Sequence, residues 1–357
     1  MMPSSSVSDS EERNASKFKR RKSDLISSDE PLYAFKENTS RWQQADLEAL
    51  GIIYDQNDIP LYKLIDRVKQ VAWRGHVYKS TLSPEHLSVF ANLMKEFLTL
   101  CLPFENGPRP VTFVEAVSLI AEIEETREKF YNHTLQAKAL LDSLTKETKR
   151  EYLLWQARTY DFLKYLGIFQ ESRSSCPLRK SQYTNLFMKF TEIFSLQPEL
   201  GGNREASIAI GQQKTVSSPD VRFVSYPRFA PATVLIAHSE VSYFSHKKEK
   251  TESAADFDIH ELSPSILGQH GGELLAERHS SFFTPGVLGM ICLKSTIIFT
   301  FLEISEDHYR CVKKGLDCRE KVASICYTKP YDYWDPKDRD EIYSTLFWLG
   351  HLQSSEK

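Results

Sequence analysis

Ser218-Pro219-Asp220-Val221-Arg222-Phe223-Val224 and Thr233-Val234-Leu235-Ile236-Ala237-His238-Ser239-Glu240-Val241-Ser242 are the two stretches on which the fold turns. Each predicts a β-strand, with an acid at the start of the first and another near the end of the second. Side chains alternate along a strand, so Val234, Ile236, His238, Glu240 and Ser242 are expected on one face. Thr233, Leu235, Ala237, Ser239 and Val241 are expected on the other. Magnesium takes hard oxygen ligands from one or two carboxylates, completed by phosphate and water. Asp220 and Glu240 could supply those oxygens as metal ligands, with the Val241 carbonyl as a third. A cation held there would lower the pKa of a bound water and offset charge on a scissile phosphate.

Around this pair the pattern continues as helices and strands. A helix is predicted from Tyr183 to Phe194, then the glycine-bearing Leu200-Gly201-Gly202-Asn203 leads into a strand over Ala206 to Ile210. Beyond the pair come a polar loop from Ser245 to Asp256, a short helix around Ile266 to Glu277, and a hairpin of Val287 to Leu293 with Thr296 to Leu302. A last helix, Asp338 to Leu352, carries Ile342, Leu346 and Leu349 on one face. Strands flanked by helices predict an α/β (α+β) domain with a central mixed sheet over residues 177–353, followed by a short tail at 354–357. The composition change at Glu171-Ser172-Arg173-Ser174-Ser175-Cys176-Pro177 marks its start.

Residues 41–172 predict an all-helical domain. Leu61, Leu64, Ile65 and Val68 recur at helical spacing, as do Leu87, Phe90, Leu93, Met94, Phe97 and Leu98 after a Ser83-Pro84-Glu85 start. Val111 to Phe169 holds no proline and a single glycine, Gly167, and predicts two or three long helices. Its aromatics suit a bundle core better than a partner surface, although a protein partner is expected to dock on this domain. Residues 1–40 are rich in Ser, Glu and Lys and predict a disordered tail. Within it the basic cluster Lys17-Phe18-Lys19-Arg20-Arg21-Lys22 suits nuclear import or phosphate contact as well as a solvated charge run.

The literal Pro219-Asp220, then Glu240-Val241-Ser242, then a helix bearing Gln269, resemble the motifs of the PD-(D/E)XK nuclease-like superfamily, the restriction-endonuclease-like fold. The resemblance spans about residues 180 to 305, and the order of helix, hairpin, helix and further strand pair fits it as well. It implies Asp220, Glu240 and Gln269 as active-site residues, with Glu192 on the preceding helix as an extra acid. Ser242 stands where lysine is usual. An ammonium there positions the attacking water and stabilises transition-state charge, and a neutral hydroxyl does little of either. Lys247 or Lys248 in the polar loop, or His238 on the Glu240 face, are the candidates to replace it. The expected function is therefore a nuclease-like domain that binds DNA or RNA with impaired or absent catalysis. An active magnesium-dependent endonuclease and an interaction scaffold with no nucleic-acid role stay open.

Plainer roles exist for each residue: Asp220 as a turn cap, Glu240 as a solvated strand-end charge, Gln269 as helix surface. His308, Cys311, Cys318 and Cys326 lack the tight spacing of zinc knuckles, and Cys311 and Cys318 fit small buried helix positions. Leu267-Gly268-Gln269-His270-Gly271-Gly272 has neither the P-loop nor the dinucleotide pattern. Tyr327 to Pro336 mixes aromatics with both charge signs and reads as a strand-to-helix connection. The net charge of -3 gives no global pull toward nucleic acid, so any such affinity must be local. Six cysteines over 357 residues do not make a disulfide scaffold, and with no apolar leader or membrane-length run the expected setting is intracellular, cytoplasmic or nuclear.

Overall fold

The computed structural model describes residues 35–73, 177–203, 205–226, 231–241 and 257–354, with scattered helical positions between 150 and 172. The basic cluster, Ser242, Lys247 and Lys248, and the stretches 87–98 and 111–149 lie outside the described residues.

Eight strands form one mixed sheet. Its order is β1 (Ile52–Tyr54), β9 (Ala323–Tyr327), β8 (Thr296–Glu303), β7 (Gly286–Leu293), β6 (Ala232–Glu240), β5 (Val221–Ser225) and β2 (Pro198–Leu200), with β10 (Tyr331–Asp332) pairing β8. The β1–β9 and β6–β7 pairs are parallel and the others antiparallel. A separate hairpin joins β3 (Ala206–Ile210) and β4 (Gln213–Ser217). All eight residues of β7 are buried, as expected for a strand covered on both faces.

Helices lie on both sides. One core unites α2 (Leu61–Trp73), α3 (Lys180–Glu192), α6 (Pro336–Ser354) and the helical positions Phe162, Leu166 and Phe169 with the sheet residues Leu235, Ala237 and Met290. The opposite core unites α1 (Gln44–Ala49), α4 (Pro264–Glu277), α5 (Glu306–Lys313) and the β3–β4 hairpin with Ile236, Ile291 and Ile298. The local chemistry explains where these helices start. Ser263 accepts from the Ile266 N–H ahead of Pro264, and Ser305 accepts from the His308 N–H ahead of two acids.

Three findings depart from the expectations. Phe35 to Ser40, assigned to the tail, hold a parallel bridge between Asn38 and Val216, and Thr39 is buried. Ile52–Tyr54, inside the stretch expected to be helical, is strand β1, and neighbouring α2 packs into the same core as α3 and α6. The third concerns the alternation along β6. A bulge pairs Phe223 with Leu235 and Val224 with Thr233, leaving Val234 as the extra residue. Val234 therefore joins Leu235 in the first core, and Thr233 turns toward α4, where its hydroxyl donates to Glu277. C-terminal to the bulge the alternation is as expected: Ile236 faces α4 and Ala237 faces the other core.

Candidate functional site at the carboxyl end of the parallel pair

Because β6 and β7 are parallel, Glu240 and Leu293 finish side by side, and the Lys294 N–H donates to the Glu240 carbonyl at 3.2 Å. β5 runs the other way, so Asp220 precedes it at this same end. Its Oδ2 accepts from the Ser239 N–H at 2.8 Å. Asp220 and Glu240 thus lie beside each other at one end of neighbouring strands, the place where open α/β sheets gather ligands.

The two acids are engaged differently. Asp220 Oδ2 lies 3.0 Å from Lys180 Nζ, at the first turn of α3, and 3.5 Å from His238 Nδ1. Glu240 folds back, its Oε1 accepting from the Val241 N–H at 2.7 Å. His238 is buried between two carboxylates, because its Nδ1 is also 3.7 Å from Glu273 Oε1 on α4. Gln269, one turn earlier on α4, donates from Nε2 to that same Glu273 oxygen at 2.9 Å. Burial depresses the His238 imidazole, but Glu273 and then Asp220 outweigh it and hold its pKa above the ordinary value. Glu273 is wholly buried, and its Oε2 and His238 Nδ1 have no hydrogen-bond partner among the described residues. Cys292, opposite Ser239 on β7, has its thiol pushed well up by burial and then by Asp220.

The structure thus brings Asp220, His238 and Gln269 into one chain of contacts and puts Glu240 at the same strand end. Glu192 is not part of it. It pairs with Lys189 at 2.7 Å at the far end of α3, about 18 Å along the helix axis from Lys180 at 1.5 Å per residue. Sequence reasoning missed Lys180 and Glu273. Glu273 had a signal, since it follows Gln269 by four residues and so shares its helix face. Lys180 had none, because only tertiary packing brings the start of α3 to the start of β5.

No group of three or more His, Cys, Asp or Glu side chains suited to a metal ion occurs among the described residues. Of the two carboxylates expected to ligate magnesium, Asp220 faces an ammonium and Glu240 accepts from the Val241 N–H through one oxygen. Cys292, Cys311, Cys318 and Cys326 are free and buried, and Cys311 and Cys318 donate to the backbone carbonyls of Asp317 and Leu316. Tyr331 and Tyr333 of the aromatic connection are buried. No helix among the described residues is long and apolar enough to cross a membrane.

Comparison of the chain with family models, with curated proteins and with solved structures returned no match. The resemblance to PD-(D/E)XK nucleases accordingly rests on this chain's own residues.

Proposed function

We propose that this chain is a nuclease-like protein that binds nucleic acid at the carboxyl end of β6 and β7, with its phosphodiester chemistry impaired. The observation that carries this reading is the Lys180–Asp220 contact at 3.0 Å. It places an ammonium on the carboxylate that a catalytic metal would need. With Glu240 accepting from the Val241 N–H, the acids are held as structural groups more than as an open cation cradle. Lys180, the neighbouring Arg179 and Lys294 at the β7–β8 turn supply positive charge at this end of the sheet, as a phosphate backbone requires.

The same contact favours a second reading, in which Lys180 fills the part that Ser242 leaves empty and the protein cleaves with magnesium. One set of assays separates the two. Labelled DNA and RNA are incubated with the full chain and magnesium or manganese, and binding is measured between about 50 and 200 mM salt. The proposal expects no cleavage, binding that weakens as salt rises, and weaker binding by Lys180→Met. Metal-dependent cleavage abolished by Asp220→Ala, Glu240→Ala and Lys180→Met would establish the enzyme instead. Absence of both cleavage and binding would leave an interaction scaffold.

A further inference from the structure

Cys311 lies in the last turn of α5 and Cys318 in the turn that follows, and their thiols are in hydrogen-bonding contact. The way the helix ends explains the approach. The Gly315 N–H, at a residue with φ +65, donates to the Val312 carbonyl at 2.9 Å, and the Leu316 N–H donates to the Cys311 carbonyl at 3.2 Å. This pair of bonds turns the chain back over the last turn of the helix. The Cys311 thiol then reaches the Asp317 carbonyl at 3.6 Å, and the Cys318 thiol reaches the Leu316 carbonyl at 3.1 Å. Both sulfurs are thus held within one turn, reduced and side by side. Cys292 and Cys326, by contrast, stand on β7 and β9 with β8 between them.

Only a thin cover separates the pair from solvent. From Lys313 to Val322 every residue except Cys318 is exposed, so this turn can open without disturbing the sheet. Cys311 is 8% exposed and Cys318 1%, which makes Cys311 the sulfur that a small oxidant meets first. Burial, then Cys311 and Asp317, push the Cys318 thiol up to about 12 against the pull of Lys321. Cys318 therefore stays protonated while its neighbour reacts, and oxidation of Cys311 removes the second of those causes. The same turn backs the start of β1. A Cβ on Gly51 would lie 2.6 Å from the Cys318 carbonyl oxygen, and the Ala323 N–H donates to the Gly51 carbonyl at 2.9 Å.

We propose that Cys311 and Cys318 form a modification site, a dithiol that hydrogen peroxide oxidises to a disulfide. The Cys311 sulfur attacks one peroxide oxygen, the O–O bond breaks, and Cys311 becomes a sulfenic acid as water leaves. The Cys318 sulfur, giving up its proton, then displaces hydroxide from the Cys311 sulfur, and a second water leaves. Two thiols are oxidised, one peroxide is reduced to two waters, and an S–S bond joins α5 to the turn that backs β1. An external thiol reverses the change by exchange. The site uses none of the residues at the carboxyl end of β6 and β7 and stands or falls separately.

Peroxide titration of the reduced full chain, read by mass mapping of its peptides, tests the proposal. One Cys311–Cys318 disulfide is expected at about one equivalent of peroxide, with Cys292 and Cys326 still reduced, and dithiothreitol should remove it. The link should raise the melting temperature by a few degrees, because it constrains the unfolded chain. Cys318→Ser should stop at a sulfenic acid on Cys311 that dimedone traps, with no rise in melting temperature. Circular dichroism of the reduced variant checks that it is folded. In urea the same treatment of the parent chain should give mixed pairings, because the fold is what holds these two sulfurs together. Excess peroxide that leaves both thiols free would overturn the proposal, as would mixed pairings from the folded chain.

Discussion

Arg222 ties three parts of the molecule together from within the core. Its guanidinium reaches Glu277 on α4, the Gly201 carbonyl beside β2 and the Ser217 carbonyl at the end of β4, with both partners of the ion pair 2% exposed. Thr233 and Ser280 complete the Glu277 carboxylate. Removing one member strands a charge in the interior. Arg222→Met should therefore cost about 3 to 5 kcal/mol in a urea titration, and adding Glu277→Leu should restore part of that loss. His270 carries a different expectation. It is wholly buried with Nε2 2.7 Å from Thr300 Oγ1, and burial, followed by the charge of His238, holds its pKa well below the ordinary value near 6.5. The unfolded chain then binds a proton that the folded chain excludes. This stability is complete above about pH 6.5 and is lost as pH falls below it, with a slope approaching 1.4 kcal/mol per pH unit. Stability measured from pH 6.5 to 5 should show this fall, and His270→Gln should flatten it.

Elements with continuous apolar runs or a clear helix start were legible in the sequence. Val287 to Leu302 announced a hairpin, the Tyr183 to Phe194 periodicity announced α3, and Ile266 to Glu277 sits within α4 almost residue for residue. Others were hidden because their order comes from partners. β4 is Gln-Lys-Thr-Val-Ser, polar at four of its five positions and unremarkable alone, and β2 and β1 are three residues each. The bulge at Val234 has no sequence signature, since only the pairing with β5 displaces it. For the site, Asp220, His238, Glu240 and Gln269 were legible through strand alternation and motif order, whereas the contact with Lys180 depends on how α3 is docked. The turn behind Asp220 offers a sharp internal comparison. A Cβ on Gly201 would sit 1.3 Å from the Pro219 carbonyl oxygen, while one on Gly202 meets nothing within 4 Å. The Gly201 N–H also donates to the Asp220 carbonyl at 3.0 Å. Gly201→Ala should cost about 1 to 3 kcal/mol or more by forcing that turn apart, and Gly202→Ala should stay within about 0.5 kcal/mol. Equal melting of the two variants would refute this account of the turn.

For the molecule from Phe35 onward, the described N-terminal segments and the C-terminal ones share one sheet and the same two cores. β1 covers the free edge of β9, and α2 inserts Leu61, Leu64, Ile65 and Val68 beneath the sheet. A chain beginning at Pro177 would bare both surfaces. It should aggregate or lose its cooperative melt, as followed by gel filtration and circular dichroism, because an uncovered strand edge and an apolar stripe both invite self-association. A soluble fragment that melts like the full chain would show that residues 177–357 are self-sufficient.

The parallel pairing of Ile52 with Ala323 bears on how the chain is made as well as how it stands. At ordinary rates of translation, the ribosome adds the last partner on the order of tens of seconds after the first has emerged. During that interval β1 has no neighbour, and its exposed Ile53 and the stripe on α2 wait in an incomplete structure. Closing a loop of this length adds little equilibrium penalty but slows the search. Closure of this edge is therefore expected to come late in biosynthesis, and the nascent chain is expected to lean on chaperones until β9 is released.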